Sequence, residues 1–215
     1  MKKAVIFDLD GVICSTDKYH YQAWKFLADM LGIPFDETVN NLLRGVSRRA
    51  SLEIILAKDP SRTEYTEDEK HLFEEQKNMT YRILLRSLTP DDILPGVKEV
   101  LNRLRKDGVK LGIGSSSRNT PVILKQLGLE HFFDEMADGS MITHSKPDPE
   151  VFLKAADLLG VSPEEALVVE DAVSGAEAAH RGGFIAVCVG DASAQDAGDW
   201  NLTDIEDLIQ IVREN

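Results

Sequence analysis

The stretch "AVIFDLDGVICS", residues 4–15, decides the reading of the fold. Ala4 to Leu9 is a short apolar run, interrupted at Asp8 and closed by Gly11, which is the pattern of a buried strand. Three more such runs follow, at Val109–Ser115, Ala166–Asp171 and Phe184–Gly190. Helical patterns lie between them. Val97, Val100, Leu101 and Leu104 recur at helical spacing before Gly108; Pro149–Leu159 stops at Gly160, and Ala172–Arg181 at Gly182-Gly183. Strands alternating with helices predict βαβ units, and hence an α/β fold: a Rossmann-like parallel sheet core with helices on both faces. Ligands of such sheets bind beyond the carboxyl ends of the strands.

Residues 15–87 break the alternation, because only helical signals occur there. Ala23, Trp24, Leu27, Ala28 and Leu31 share one face of a helix over Asp17–Leu31, and Ser47 precedes a helix bearing Leu52, Ile55 and Leu56. "TEDE" (Thr66–Glu69) is a capping box for a long helix running to about Leu88. The expectation is an all-helical cap domain, residues 15–87, inserted into a core made of 1–14 and 88–215. Leu88–Gly96 would be the return hinge.

Composition narrows the partners. Lys and Arg number 24 against 37 Asp and Glu, a net charge of −13. Nothing supplies the broad basic face that nucleic acid or an anionic membrane requires, and no stretch approaches transmembrane length. The partner expected is a small molecule, and an anionic one must be gripped by a few local cations or by a metal. Cys14 and Cys188 form neither a metal-ligand spacing nor a disulfide framework. Met1-Lys2-Lys3 opens like a secretory signal, but Asp8 interrupts the apolar run too early for one. A cytoplasmic monomer is expected.

The strand ends carry the chemistry. The first delivers Asp8 and Asp10, the second Ser115, Ser116 and Ser117, and the third Glu170 and Asp171. Lys146 sits in "SKPDP", a loop that Pro147 and Pro149 are expected to hold extended. Carboxylates this close repel one another, and a hard cation relieves them. One Mg²⁺ per site suits them, because it binds through few carboxylates and keeps places for water and phosphate. Asp8 is placed to attack a phosphoryl group. Asp10, two residues on, can protonate the departing oxygen or take a proton from an incoming hydroxyl. Lys146, Ser115 and Ser116 would hold the equatorial oxygens. Singly, such acids make a solvated turn, such a lysine a surface charge and Glu-Asp a helix cap. Their joint occurrence at strand ends is what points to catalysis.

This constellation resembles the haloacid dehalogenase-like phosphotransferases. "FDLDG" is similar to their first motif, Ser115 or Ser116 to the second, Lys146 to the third and "ED" (Glu170-Asp171) to the fourth, and the helical insert matches their small cap domain. Such proteins are phosphatases or mutases, and a mutase must bind a substrate with a second phosphate. Arg48 opens a cap helix where an anion could be gripped. Ser117, Arg118 and Asn119 are expected as spare donors beyond the second motif, and His20, Trp24 and Lys77 lie on helix faces that otherwise pack.

Together, "YH…AW", "LLRGVSRRASL" (42–52), "QKN" (76–78), "SSSRN" (115–119) and "SKPDP" (145–149) are similar to one subgroup, the β-phosphoglucomutases. That resemblance implies an isomerase of carbohydrate metabolism that interconverts β-D-glucose 1-phosphate and glucose 6-phosphate. It would pass through a phosphoprotein on Asp8, with β-glucose 1,6-bisphosphate as intermediate and activator. Asp8, the backbone carbonyl of Asp10, Glu170 and Asp171 would ligate Mg²⁺, and Arg48 with Ser117 and Asn119 would hold the non-transferring phosphate. Thr16, His20, Trp24, Leu43, Gly45, Val46, Ser51 and Lys77 would meet the sugar or couple the cap to Asp10. The competing reading is a small sugar-phosphate phosphatase. A phosphosugar-sensing module is the third, and it has no need of a nucleophile such as Asp8.

Overall fold

The computed structural model describes residues 2–43 and 46–214; Gly45, an expected sugar contact, lies outside the described residues together with Arg44. The chain forms two compact units, Thr16–Ser87 and the remainder.

The smaller unit is helical: α1 (Asp17–Leu31), α2 (Glu37–Asn41), α3 (Arg48–Leu56) and α4 (Glu67–Leu84). Its boundaries follow from capping chemistry. The Asp36 carboxylate accepts from Val39 N at 2.9 Å and the Ser47 hydroxyl from Ala50 N at 3.2 Å, opening α2 and α3. Thr66 and Glu69 form the capping box of α4. Each such side-chain cap contributes about 1 kcal/mol. The last helix ends four residues earlier than the spacing predicts, because Leu85–Ser87 tighten into a 3₁₀ turn. Trp24, Leu27 and Ala28 of α1 pack with Ile33, Phe35, Leu43, Leu52 and Ile55 into one apolar cluster.

The larger unit is a six-stranded parallel sheet: β1 (Ala4–Phe7), β2 (Lys110–Gly114), β3 (Glu135–Ala137), β4 (Ala166–Glu170), β5 (Ile185–Cys188) and β6 (Trp200–Asn201), in the order β3-β2-β1-β4-β5-β6. Helices α5 (Val97–Lys106), α6 (Thr120–Gln126), α7 (Glu150–Leu159), α8 (Val173–Arg181), α9 (Gly190–Ala194) and α10 (Leu208–Glu214) connect and cover it. Alternation along β1 sets the two faces. Ala4 and Ile6 enter a cluster with Val151, Phe152 and Ala155 of α7 and Ala176 and Ala179 of α8. The opposite face receives α5, which packs on β2 and against α10.

Strand order reverses beside β1. Phe7 pairs with Ile113 on one side and Val169 on the other, so β1 and β4 meet at the switch point where α/β sheets bind ligands. The strands are shorter than their apolar runs suggest. Asp8 and Ser115 are the first residues past β1 and β2, whereas Glu170 is the last residue of β4. The three- and two-residue strands β3 and β6 were not expected from the pattern, and they extend the sheet at its two edges. "SKPDP" is not extended. Asp148 N donates to Ser145 O at 3.1 Å, and Pro149 already has helical dihedrals as the N-cap of α7, so the segment turns directly into the helix. Among the described residues, no helix is long and apolar enough to cross a membrane.

Candidate active site

The ends of β1 and β4 bring three carboxylates to one lysine. Asp8 N donates to Val169 O at 2.9 Å, which fixes the start of the first loop against β4. The Lys146 ammonium donates to Asp8 Oδ1 at 2.5 Å and also to Glu170 Oε1. Glu170 Oε2 accepts from the backbone N–H groups of Asp171 and Ala172, each at 2.9 Å. Ligand oxygens of Asp8, Glu170 and Asp171 lie within 4.8 Å of one another. Burial, followed by the neighbouring carboxylates, raises the Asp8 and Asp171 carboxyls well above the ordinary range. Burial works against the Lys146 charge, but Asp8 and Glu170 outweigh it and leave the ammonium firmly protonated.

Asp10 is half-buried and forms an isolated bridge with Cys14, and its charge adds to the field that raises Asp8. Gly11 follows with φ +83, and a Cβ there would lie 1.9 Å from Asp171 Oδ2. Only glycine serves both the turn and the close approach. Gly175, in the first turn of α8, makes room in the same way: a Cβ would stand 2.0 Å from Glu170 Cδ. The sequence pattern gives Gly11 only the role of closing the first strand and gives Gly175 none. The available signal was a glycine placed inside a predicted helix, at a cost in helix propensity, five residues after a candidate ligand.

Past β2, Ser115 is buried, Ser116 exposed, Ser117 half-buried, Arg118 exposed and Asn119 buried. The expectation of spare donors is corrected at Arg118. Ser117 Oγ accepts from Asn119 N at 3.2 Å, and Ser115 Oγ accepts from Ser117 N at 3.2 Å. Arg118 Nε is committed to Gly139 O at 3.1 Å. The Arg118 Nε–H is spent on the loop's own shape, whereas the other two bonds use the lone pairs of the Ser115 and Ser117 hydroxyls and not their O–H donors.

In the helical unit, Lys77 Nζ lies 3.0 Å from His20 Nδ1, and Arg48 donates to Asn78 Oδ1 at 3.0 Å. Trp24 is in the apolar cluster, with the Lys77 ammonium over its ring, rather than on an open face. Lys77 is itself buried. Thr16, Leu43 and Ser51 are buried and Val46 is exposed. The Tyr81 hydroxyl donates to Thr16 Oγ1 at 2.9 Å, and neither Tyr81 nor Asn78 was singled out as a site residue from the motifs.

A haloacid dehalogenase-like hydrolase family model matches residues 2–183. The chain belongs to this family. Among haloacid dehalogenase-like relatives, it is 43% identical over 206 residues to a β-phosphoglucomutase of Bacillus subtilis, covering 96% of this chain and 91% of the relative. It is 30% identical to a phosphorylated carbohydrates phosphatase of Thermotoga maritima, covering 99% of both chains. The solved β-phosphoglucomutase of Clostridium difficile superposes with a TM-score of 0.90 at 36% identity, covering 100% of this chain and 96% of that one.

Haloacid dehalogenase-like enzymes generally use Mg²⁺, and this donor set fits it. All three ligand side chains offer hard oxygens. With all three carboxylates ionised against one ammonium, two negative charges remain, which a divalent cation would offset. His144, Asp148 and Glu150 form a second cluster among the described residues, but the Glu150 carboxylate already pins its loop by accepting from Thr143 N and His144 N at 3.0 and 2.7 Å.

Proposed function

We propose that the protein is a Mg²⁺-dependent phosphomutase that interconverts β-D-glucose 1-phosphate and glucose 6-phosphate. The observation that carries phosphoryl transfer is the largely buried Asp8–Lys146–Glu170–Asp171 constellation at the β1/β4 switch point, which a mutase and a phosphatase would share. Similarity to β-phosphoglucomutases over nearly the whole chain supports the mutase.

In this reading an Asp8 carboxylate oxygen attacks the phosphorus of the bisphosphate, and the bond from phosphorus to the sugar oxygen breaks. Asp10 gives its proton to that departing oxygen. In the second half, Asp10 takes a proton from the C6 hydroxyl of β-glucose 1-phosphate as that oxygen attacks the phosphoryl group on Asp8, and the carboxylate is released. The bisphosphate formed then turns end for end and returns its other phosphoryl group to Asp8. Lys146 stays beside Asp8 and balances the charge that gathers on the phosphoryl oxygens. Held by Asp8, the Asp10 carbonyl, Glu170 and Asp171, Mg²⁺ supplies further charge neutralisation there. Ser115, Ser116 and the 115–119 loop receive phosphoryl oxygens, while Arg48, Ser117 and Asn119 take the non-transferring phosphate. His20 serves the sugar. A mutase must also keep water from the aspartyl-phosphate, a task this reading assigns to the helical unit during turnover.

Similarity to the Thermotoga phosphatase favours a second reading, hydrolysis of a sugar phosphate by the same Asp8 and Asp10. Incubation with β-glucose 1-phosphate, catalytic bisphosphate and Mg²⁺ separates the two. Glucose 6-phosphate in excess over inorganic phosphate is expected, and stoichiometric phosphate release would overturn the mutase reading.

A further inference from the structure

Lys77 is an unusual residue to find in a helical interior. It is only 3% exposed, and its ammonium lies 4.8 Å from the centroid of the Trp24 ring and 4.6 Å from that of Tyr81. Two aromatic faces therefore bear on one cation, the arrangement that compensates an ammonium withdrawn from water. A further direction is taken by His20 Nδ1 at 3.0 Å. An ammonium has donors only, so Nδ1 must be the acceptor and the ring proton must reside on Nε2. Tyr81 also packs its ring 4.2 Å from that of His20 and sends its hydroxyl to Thr16 Oγ1, four residues before His20. One side chain on α4 thus touches Thr16, His20 and Lys77.

We propose that Tyr81 and Trp24 are positioning residues, whose rings seat the Lys77 ammonium against His20 Nδ1 so that the imidazole presents Nε2–H to the phosphosugar. The inference rests on the phosphosugar reading above for the identity of what His20 meets. The geometry of the seat does not depend on it. Lys77 and Tyr81 from α4 and Arg48 from α3 face the ring; burial first, then the two cations, hold the imidazole well below its usual ionisation range. A neutral, single-tautomer histidine is a donor whose direction is fixed and does not alternate with an acceptor.

The test joins a spectroscopic readout to a kinetic one on the full chain. Long-range ¹⁵N–¹H spectra, with the His20 ring assigned by loss of its signals in His20→Asn, should show the Nε2–H tautomer alone. Tyr81→Phe keeps the seat and should keep that tautomer. Tyr81→Leu removes one aromatic face and should give a mixed or protonated ring. A cation–π face withdrawn from water is worth about a three- to thirty-fold change, so turnover of β-glucose 1-phosphate, to isomer or to phosphate, should fall by about that factor in Tyr81→Leu. Hydrolysis of acetyl phosphate, which has no sugar to orient, should fall at least threefold less. If Tyr81→Leu does not fold, Lys77→Met poses the same question. An Nδ1–H or imidazolium His20 in the unaltered protein would overturn the seat. A changed tautomer with equal losses on both substrates would overturn the positioning role. Failure to turn over any phosphosugar, with the tautomer as stated, would instead sink the reading of function.

Discussion

Gly175→Ala sets two physical effects against each other. Alanine favours a helix over glycine by at most about 1 kcal/mol, so propensity alone predicts a more stable protein. The new Cβ, however, would lie 2.0 Å from both Cδ and Oε1 of Glu170. Glu170 is the far end of a flexible side chain, but it has nowhere free to go. It is 1% exposed, accepts from two backbone N–H groups at 2.9 Å, and receives Lys146. Hydrogen bonds to a charged group contribute about 1.5–3 kcal/mol each, so losing the two backbone bonds costs roughly 3–6 kcal/mol. Against the helix gain, the net loss is roughly 2–5 kcal/mol, which in a chain of this size lowers the melting temperature by roughly 4–20 °C. Moving a candidate ligand should also weaken Mg²⁺ binding by about 10–100-fold. Calorimetric melting with and without Mg²⁺, together with a Mg²⁺ titration, reads both quantities. A variant that melts higher than the original and binds Mg²⁺ equally well would refute the claim that Glu170 is pinned as a ligand.

Arg48→Ala should reduce conversion of glucose 1-phosphate more than hydrolysis of acetyl phosphate; equal losses in the two assays would count against a second phosphate site. Asp10→Ala should slow phosphoryl transfer by about 10²–10⁴-fold, the usual worth of a positioned acid and base, and an unchanged single-turnover rate would remove that role. Burial and neighbouring carboxylates raise Asp8 to about 7 and Asp171 to about 8, above their unfolded values, so the folded chain holds more protons than the unfolded one up to those pH values. In EDTA, stability should therefore fall as pH rises from about 5 to 8 and level off above, by at most about 1.4 kcal/mol per pH unit for each group. Mg²⁺ should flatten the slope, and a metal-free protein whose melting temperature rises over that interval would contradict the argument.

The parts of the fold that were legible are those where one local pattern suffices. β1, β2, β4 and β5 are buried strands, and their apolar runs announce them. β3 and β6 have three and two residues at the sheet edges, too few for any periodicity to register. The acids of the site were visible because each stands at a strand end, where ligands of such sheets bind. In the 115–119 loop the departure is at Arg118, whose Nε–H is tied to the backbone carbonyl of Gly139. Sequence shows donors without showing what already holds them. Tyr81 and Gly175 were hidden in another way, since their importance comes from the pairing of α1 with α4 and from the clearance between α8 and β4.

The central claim is that Asp8 stores the phosphoryl group between the two halves of the reaction. Acid quench of the protein during turnover with radiolabelled bisphosphate and Mg²⁺, followed by peptide mapping, tests it directly. The account predicts a base-labile label on the peptide bearing Asp8, absent from Asp8→Asn, which should fold but not turn over. Label on any other residue, or steady turnover with Asp8 unlabelled, would contradict it.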